Sequence, residues 1–587
     1  MSHLFSSSIT IIRIFLRKHW PGLIFALAIG VIIALPPVIW HFSSGYRGVE
    51  MLKTNTETHY VAQVQEVYDG YPSLGNPYLS GVKDTPYLFP PFSPNLVAFM
   101  GKALHISAIH AVMFTRLLFV TLLSFLIYLF TYFISGSVLV GIVSSTFVIL
   151  GYGAIVPGQL LEFLKGGSWL PEPTFIDYGR PINPQISSVL FFAYICVFWS
   201  LLSSGEYLRK LKIVLGGLLI GAAFYTYLFT WTFCIAITAT TAVTLFIFKE
   251  KRRAKDLLFI LLLALGIGLP YLLHSWNISH SALYAEVVTR FGFVQRSTPE
   301  ISRLVLIAIS LLAVFWRLFG RTEKIFFGSI FIASLVIVNE HLVTGLYLFN
   351  HHWHWYYITP LVIIFLTILL FRVVQRRNVR PIIISALGAS LVLFFLTGGI
   401  TAQVQSYQKV LPEVRREQSY AGLFRWLQSG LPAGKTIFAP LPIADMIPAL
   451  TNHDVYFSST ALYTLVPNKR LAHAYLAYLY LRGVPKEEIP RFIQEDEATI
   501  VYWIFGYLCS FKDVSTTHCL DKTYLESSAE IYRTITDKNF IAFLQEYPID
   551  YIIYDVDSES AWKPQAFGLR VAWQEDGIIV YEISRKQ

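Results

Sequence analysis

Charge is what this 587-residue chain has least of. Asp, Glu, Lys and Arg make up 14% of it, against 55% hydrophobic residues and a mean hydropathy of +0.54. A soluble globular domain carries about 25% charged residues, so that class is excluded. The formal excess of +9 does not signal nucleic-acid affinity, because most of it lies in short connecting segments. Cysteine is scarce too, with four residues in all. Cys196 and Cys234 fall in apolar runs and read as small buried hydrophobes. Cys509 and Cys519 lie near the carboxy terminus, where a bridge and two free thiols are both open. There is no internal repeat, no low-complexity stretch and no nucleotide-sugar or ATP motif. The first apolar run, Leu23–Trp40, lacks a small-residue cleavage site and follows Arg13, Arg17 and Lys18, so it reads as a retained anchor.

What is abundant is apolar runs near the roughly 20 residues that cross a bilayer. We read about eleven, near 22–42, 110–134, 138–157, 186–203, 212–228, 231–248, 257–276, 301–318, 325–340, 355–371 and 381–399. The stretch 212–248 is too long for one helix, and its knot of Tyr225, Tyr227 and Trp231 marks a tight hairpin. Every second connection is basic: Ser203–Lys212, Lys249–Asp256, Arg317–Lys324 and Arg372–Arg380. Cytoplasmic loops retain Lys and Arg, so the pattern puts the amino terminus in the cytoplasm and the long aromatic loops outside. Residues 1–400 thus read as a polytopic α-helical membrane domain with a large first external loop at 43–109. Residues 401–587 read as an extracytoplasmic α/β domain. Its helix is Ser419–Gln428, and its strands are Ile437–Leu441, Val455–Ser458, Tyr551–Asp555, Leu569–Trp573 and Ile578–Ile583. The last two join through Glu575-Asp576-Gly577, a hairpin turn.

Polar chemistry concentrates in the external loops. In Glu57–Gly70, the residues Tyr60, Val61, Val64, Val67 and Tyr68 form one helical face, which predicts an interfacial helix with His59, Gln63, Glu66 and Asp69 turned away. Glu57 falls on the apolar side, where partial desolvation would make it a base near neutral pH. The same residue closes the capping pattern Thr54-Asn55-Thr56-Glu57, in which it only secures the helix start. Gly75–Tyr78 and Pro86–Pro94 predict a rigid aromatic loop at the interface.

The second external loop, Gly158–Asn183, carries Glu162, Lys165, Glu172, Asp177 and Arg180. Arg180 precedes a helix start, a place for a phosphate, although interfacial arginines also snorkel to lipid headgroups. Asp177 is its ion-pair partner or a second acid. Histidines crowd Asn339–His354, with His341, His351, His352 and His354. Their spacing matches no standard zinc pattern, so hydrogen bonding to a polar substrate or phosphate is the preferred reading over metal. Arg290 and Arg296 offer two more anion contacts.

The segments ETHYVAQVQEVYDGYPSLGNPY, RPINPQ and NEHLVTG followed by histidines resemble those of the GT-C superfamily of membrane glycosyltransferases, including bacterial protein O-mannosyltransferase and aminoarabinose transferase-like proteins. The resemblance covers roughly residues 20–400 with loose motifs. It implies a multi-pass protein of the cell (inner) membrane that takes a sugar from a polyprenyl-phosphate donor, in contact with membrane lipids, to a glycan, lipid or protein acceptor, with inversion. It implies Glu57 as the catalytic base, assisted by Asp177 or Glu162, with Arg180, His351 and His352 on the donor phosphate. Asn183, Tyr225, Tyr227 and Trp231 would line the groove, although the three aromatics also read as plain packing. The family often has Asp beside the acid, whereas this chain has Asn55 and Thr56. Some relatives use a divalent metal, and no ligand set here claims one. A transporter or lipid flippase is the alternative, as is a non-catalytic scaffold; the flippase would need mid-span charge, for which Arg116 is the main candidate.

Overall fold

Apolar runs this long bury their backbone polar groups most cheaply as helices, and helices dominate the computed structural model, which describes residues 2–54, 56–172, 174–203, 206, 208–290, 298–495 and 522–584. The first helix is α1 (Ser2–His41), and the loop after it holds α2 (Glu57–Tyr68) and α3 (Phe92–Ala103). There follow α4 (Ala108–Ser135), α5 (Val138–Leu150), α6 (Pro157–Leu164), α7 (Gln185–Ser203), α8 (Arg209–Phe224) and α9 (Leu228–Ile247). The bundle continues with α10 (Lys251–Ser279), α11 (Ala282–Arg290), α12 (Arg303–Val314), α13 (Arg321–Ile337), α14 (His351–Arg376) and α15 (Pro381–Arg416).

Helices occupy every range in which a span was expected, but among the described residues seven are long and apolar enough to cross a membrane. α5, α8, α12 and α13, at 13, 16, 12 and 17 residues, fall short of that measure. The hairpin expected at the aromatic knot is there, since α8 ends at Phe224 and α9 begins at Leu228. Ion pairs gather the basic segments at one end of the bundle: Arg209 with Asp256, Arg252 with Glu206, Arg321 with Glu250, and Arg372 with Glu323. These pairs link four connections that are far apart in sequence.

α15 runs 36 residues, about 54 Å at the helical rise, which exceeds the apolar thickness of a bilayer by some 20 Å. Its polar extension carries the chain directly into the tail. There β1 (Thr436–Phe438), β2 (Asp454–Val455), β3 (Tyr551–Asp555), β4 (Arg570–Glu575) and β5 (Ile578–Glu582) form one sheet in the order β2-β1-β3-β5-β4. β1 is parallel to β2 and β3, while β5 is antiparallel to β3 and β4. Asp576 and Gly577 take positive φ at the β4–β5 turn, as the sequence there requires. Cys509 and Cys519 lie outside the described residues.

Two hydrophobic cores result. One fills the bundle; the other joins the first loop, α3 and the start of α4 to the tail. This second core buries α2 on both faces, where the sequence predicts an interfacial helix, on the membrane or on the bundle, with one polar face turned away. Gln63 and Glu66, on the face turned away from its apolar stripe, are buried as well. The tail helix Ile443–Leu450 packs over it, and Lys83 ties Glu66 to Asp454 at 2.6 and 2.7 Å. A polar face can be buried this way because each carboxylate meets the same ammonium.

Candidate functional site

Glu57 opens α2 and is 1% exposed. It is not the lone acid the sequence suggested. Arg116, on the third turn of α4, donates from Nη2 to its Oε1, and Thr54 donates to Oε2 from both backbone N (2.9 Å) and Oγ1 (2.8 Å). The capping reading holds in part, because Glu57 reaches back to the Thr54 amide although Thr56, at φ 56°, occupies the cap position. Arg116 also donates from Nε to the Gly179 carbonyl at 2.9 Å. The pair therefore holds the turn Asp177–Gly179, immediately before Arg180. A narrow cleft opens beside it, lined by Pro36, Pro37, Lys53, Glu57, Arg116 and Phe175 among others. The mid-span charge that a flippase would need is thus a partnered arginine near the helix start.

Arg180 is different. Its guanidinium lies over the Tyr60 ring at 5.4 Å and donates from Nη2 to the Tyr60 hydroxyl at 3.1 Å, while its Nε is buried without a partner. The phenols of Tyr227 and Tyr356 face it, and no described carboxylate makes an ion pair with it. Tyr60 lies one turn beyond Glu57 on the same helix and also donates to the Asn183 carbonyl at 3.3 Å. Asn183 leaves its side-chain oxygen buried and unpartnered. Tyr227 shares a 2.7 Å hydrogen bond with His352 Nδ1, so α14 closes the cluster from the far side.

His59 sits close enough to feel the Arg180 charge and hydrogen-bonds Tyr78. Although part of its surface is open, burial and then Arg180 push its imidazole down to about 3, so it is neutral at physiological pH. Asp177 keeps an exposed side chain at the mouth. Surrounding protein pushes its carboxyl up, and the Arg180 charge opposes that. Because water reaches the group, the rise is screened.

The structure brings together Arg180, Asn183, Tyr227, His352 and Asp177 of the expected residues, with Glu57 one helical turn away from Tyr60. It does not bring in the rest. Glu162 is exposed on α6 and pairs with Lys165 at 3.2 Å. Tyr225 donates to the Ile267 carbonyl at 2.8 Å, and Trp231 stacks on Phe224, so both are packing residues. His351 meets His352 edge to face and lies tilted against Trp355, one step removed from the guanidinium. Arg290 is spent on the carbonyls of Leu462, Thr464 and Val466 and on Asn468, clamping α11 to the tail. Arg296 lies outside the described residues.

Tyr60, Tyr356 and His59 were not singled out as site residues. Tyr60 falls on the apolar face of the helix, and its spacing from Glu57 is the signal that both serve one face. Nor was any metal set. Among the described residues His41, Glu50 and His110 bring their ligand atoms within 4.8 Å of one another. The histidines at 341–354 form no such group.

The fold is similar to that of a solved structure, the crystal structure of ArnT from Cupriavidus metallidurans bound to undecaprenyl phosphate. The match covers 75% of this chain and 88% of that one at 12% sequence identity, with a TM-score of 0.41. No family profile matches this chain, and no curated protein does. Multiple long apolar helices and a small carboxy-terminal sheet are what the chain shows outright.

Proposed function

We propose that this protein is a membrane glycosyltransferase that moves a sugar from a polyprenyl-phosphate donor to a hydroxyl acceptor at the extracytoplasmic face. One observation carries the reading: Arg180 is enclosed by aromatic and histidine side chains, keeps an unsatisfied N–H and has no carboxylate partner among the described residues. A guanidinium so placed is costly unless an anion completes it, and its fork fits a phosphate.

The chemistry follows from that anion. The acceptor oxygen attacks the anomeric carbon as the bond from that carbon to the phosphate oxygen breaks, so the configuration inverts. Negative charge grows on the departing phosphate, where Arg180 and the hydroxyls of Tyr60, Tyr227 and Tyr356 would receive it. The proton of the acceptor hydroxyl goes to a carboxylate. Asp177 takes this role, because it is exposed at the mouth and its carboxyl is pushed up toward the working pH. Glu57 becomes a positioning residue, since it holds Arg116 and through it the Asp177–Gly179 turn.

Transfer from a purified polyprenyl-phosphate sugar tests this. Arg180→Ala should cut turnover by about 10²–10³-fold, as loss of one preorganised charge donor typically does, and Arg180→Lys should recover part of it. Full transfer by Arg180→Ala would refute the assignment. Lipid movement across vesicles without any glycosyl transfer would favour the flippase.

A further inference from the structure

Between α1 and α2, three donors converge on a single carboxylate oxygen. His41, the last residue of α1, sets Nδ1 2.7 Å from Glu50 Oε1. His110, in the first turn of α4, sets Nε2 3.3 Å from the same atom, and the Tyr46 hydroxyl donates to it at 2.7 Å. The other oxygen, Oε2, is buried with no hydrogen-bond partner, on a residue that is 3% exposed. A buried carboxylate ordinarily divides its donors between both oxygens, because a bare one costs desolvation energy. Crowding on one side and vacancy on the other is the pattern expected where a cation belongs between the groups.

We propose that His41, Glu50 and His110 form a binding site for a divalent transition-metal ion of the zinc class. Bonds of 2.0–2.2 Å in a tetrahedron put ligand atoms about 3.3 Å apart, which the His110–Glu50 separation already meets. The His41 nitrogen must withdraw by about half an ångström. Two imidazoles and one carboxylate are a borderline donor set that suits zinc better than calcium or magnesium. Three protein ligands leave a fourth position for water.

The surroundings are those of a built site. Ser107 Oγ lies 2.8 Å from His110 Nδ1 and can accept from it, the tautomer that frees Nε2 as a ligand. The Val49 carbonyl accepts from Trp40 Nε1 at 3.2 Å and from Gln418 Nε2 at 2.9 Å, so the backbone presenting Glu50 is fixed from both sides. An ion here ties the end of α1, the start of α4 and the strand of chain leading to Lys53, Thr54 and Glu57. Its role is to position that segment. Binding replaces the protons shared with Oε1, so it releases protons. None of this depends on the reaction proposed above.

The test uses the purified full-length chain, stripped with chelator and titrated with Co²⁺ as a spectroscopic probe and then with Zn²⁺ alone. One ion per chain is expected, with visible cobalt bands and a zinc-dependent rise in Tm. His110→Ala and His41→Ala should each weaken binding by about 100-fold or more and abolish the Tm rise, and Ser107→Ala should weaken it by about 10-fold. The serine variant keeps every ligand, so it remains informative if a histidine variant does not fold. Wild-type protein that binds no Co²⁺ overturns the site, as does wild-type affinity in both histidine variants. Loss of binding in His351→Ala with His352→Ala, in place of these variants, also overturns it. Metal binding that persists alongside absent sugar transfer would count against the reaction and leave this site standing.

Discussion

Arg116 and Arg180 stand on either side of one short turn, and they could hardly be treated more differently. Arg116 is 2% exposed and meets a carboxylate, a hydroxyl and a carbonyl, although its Nη1 is buried without a partner. Arg180 meets phenols and a ring face but no described carboxylate, and its Nε goes unused. Arg290, buried in the clamp to the tail, resembles the first: four of its contacts go to carbonyl or amide oxygens. What separates them is the counter-charge: Arg116 has a carboxylate beside it, Arg290 has carbonyls, and Arg180 has phenols alone, which points to an anion. The comparison also separates roles for the two acids, since Glu57 is consumed by Arg116 while Asp177 stays open.

The largest effect should come from breaking the satisfied pair. Glu57→Gln leaves Arg116 buried without its counter-charge, and removing one partner of a buried pair costs about 3–5 kcal/mol, read as a fall in Tm in detergent. If Tm is unchanged while transfer is lost, Glu57 is the base and the contrast drawn here fails. Next, Asp177→Asn should lower kcat by about 10²-fold with little change in Tm, because the side chain is exposed and bears no structural load. Intact kcat would remove Asp177 from the reaction.

The pH profile sharpens the same contrast. With the Asp177 carboxyl pushed up by its surroundings, the basic form is lost as pH falls through a value above the ordinary aspartate range. The acid limb of kcat/KM should therefore lie above that range and vanish in Asp177→Asn. A limb that persists there belongs to another group.

The smallest effect is expected at the seam between loop and tail. Burial pushes the Glu66 carboxyl up to about 7, and Lys83 opposes this. Glu66 and Asp454 share one ammonium, so Lys83 offsets only part of the cost of burying two carboxylates. A carboxyl that binds its proton more tightly when folded loses stability as pH rises from its unfolded value through about 7. Lys83→Ala should thus lower Tm most above pH 7 and least near pH 5. A loss that is independent of pH would mean the lysine acts through packing alone.

Much of the architecture was legible because it is written in local pattern. α2 begins at Glu57, the hairpin falls at Tyr225–Tyr227, and β3 spans the same five residues in sequence and structure. Other parts were legible only coarsely. The bulge at Val571–Trp573 and the ends of β1 and β2 depend on strand pairing, which period and turn signals do not encode. What escaped altogether were long-range partners. Arg116 lies 59 residues from Glu57, and the tail that covers α2 lies almost 400 residues from it. Lacking those, a helix buried on every side looked amphipathic, a paired acid looked solitary, and His41, Glu50 and His110 drew no notice.

The most direct measurement compares the binding of polyprenyl phosphate and of the uncharged polyprenol to purified protein by native mass spectrometry, in the wild type and in Arg180→Ala. The phosphate lipid should bind the wild type well above the alcohol, and Arg180→Ala should abolish the difference. Equal preference for the phosphate lipid in both proteins would contradict the Arg180 assignment.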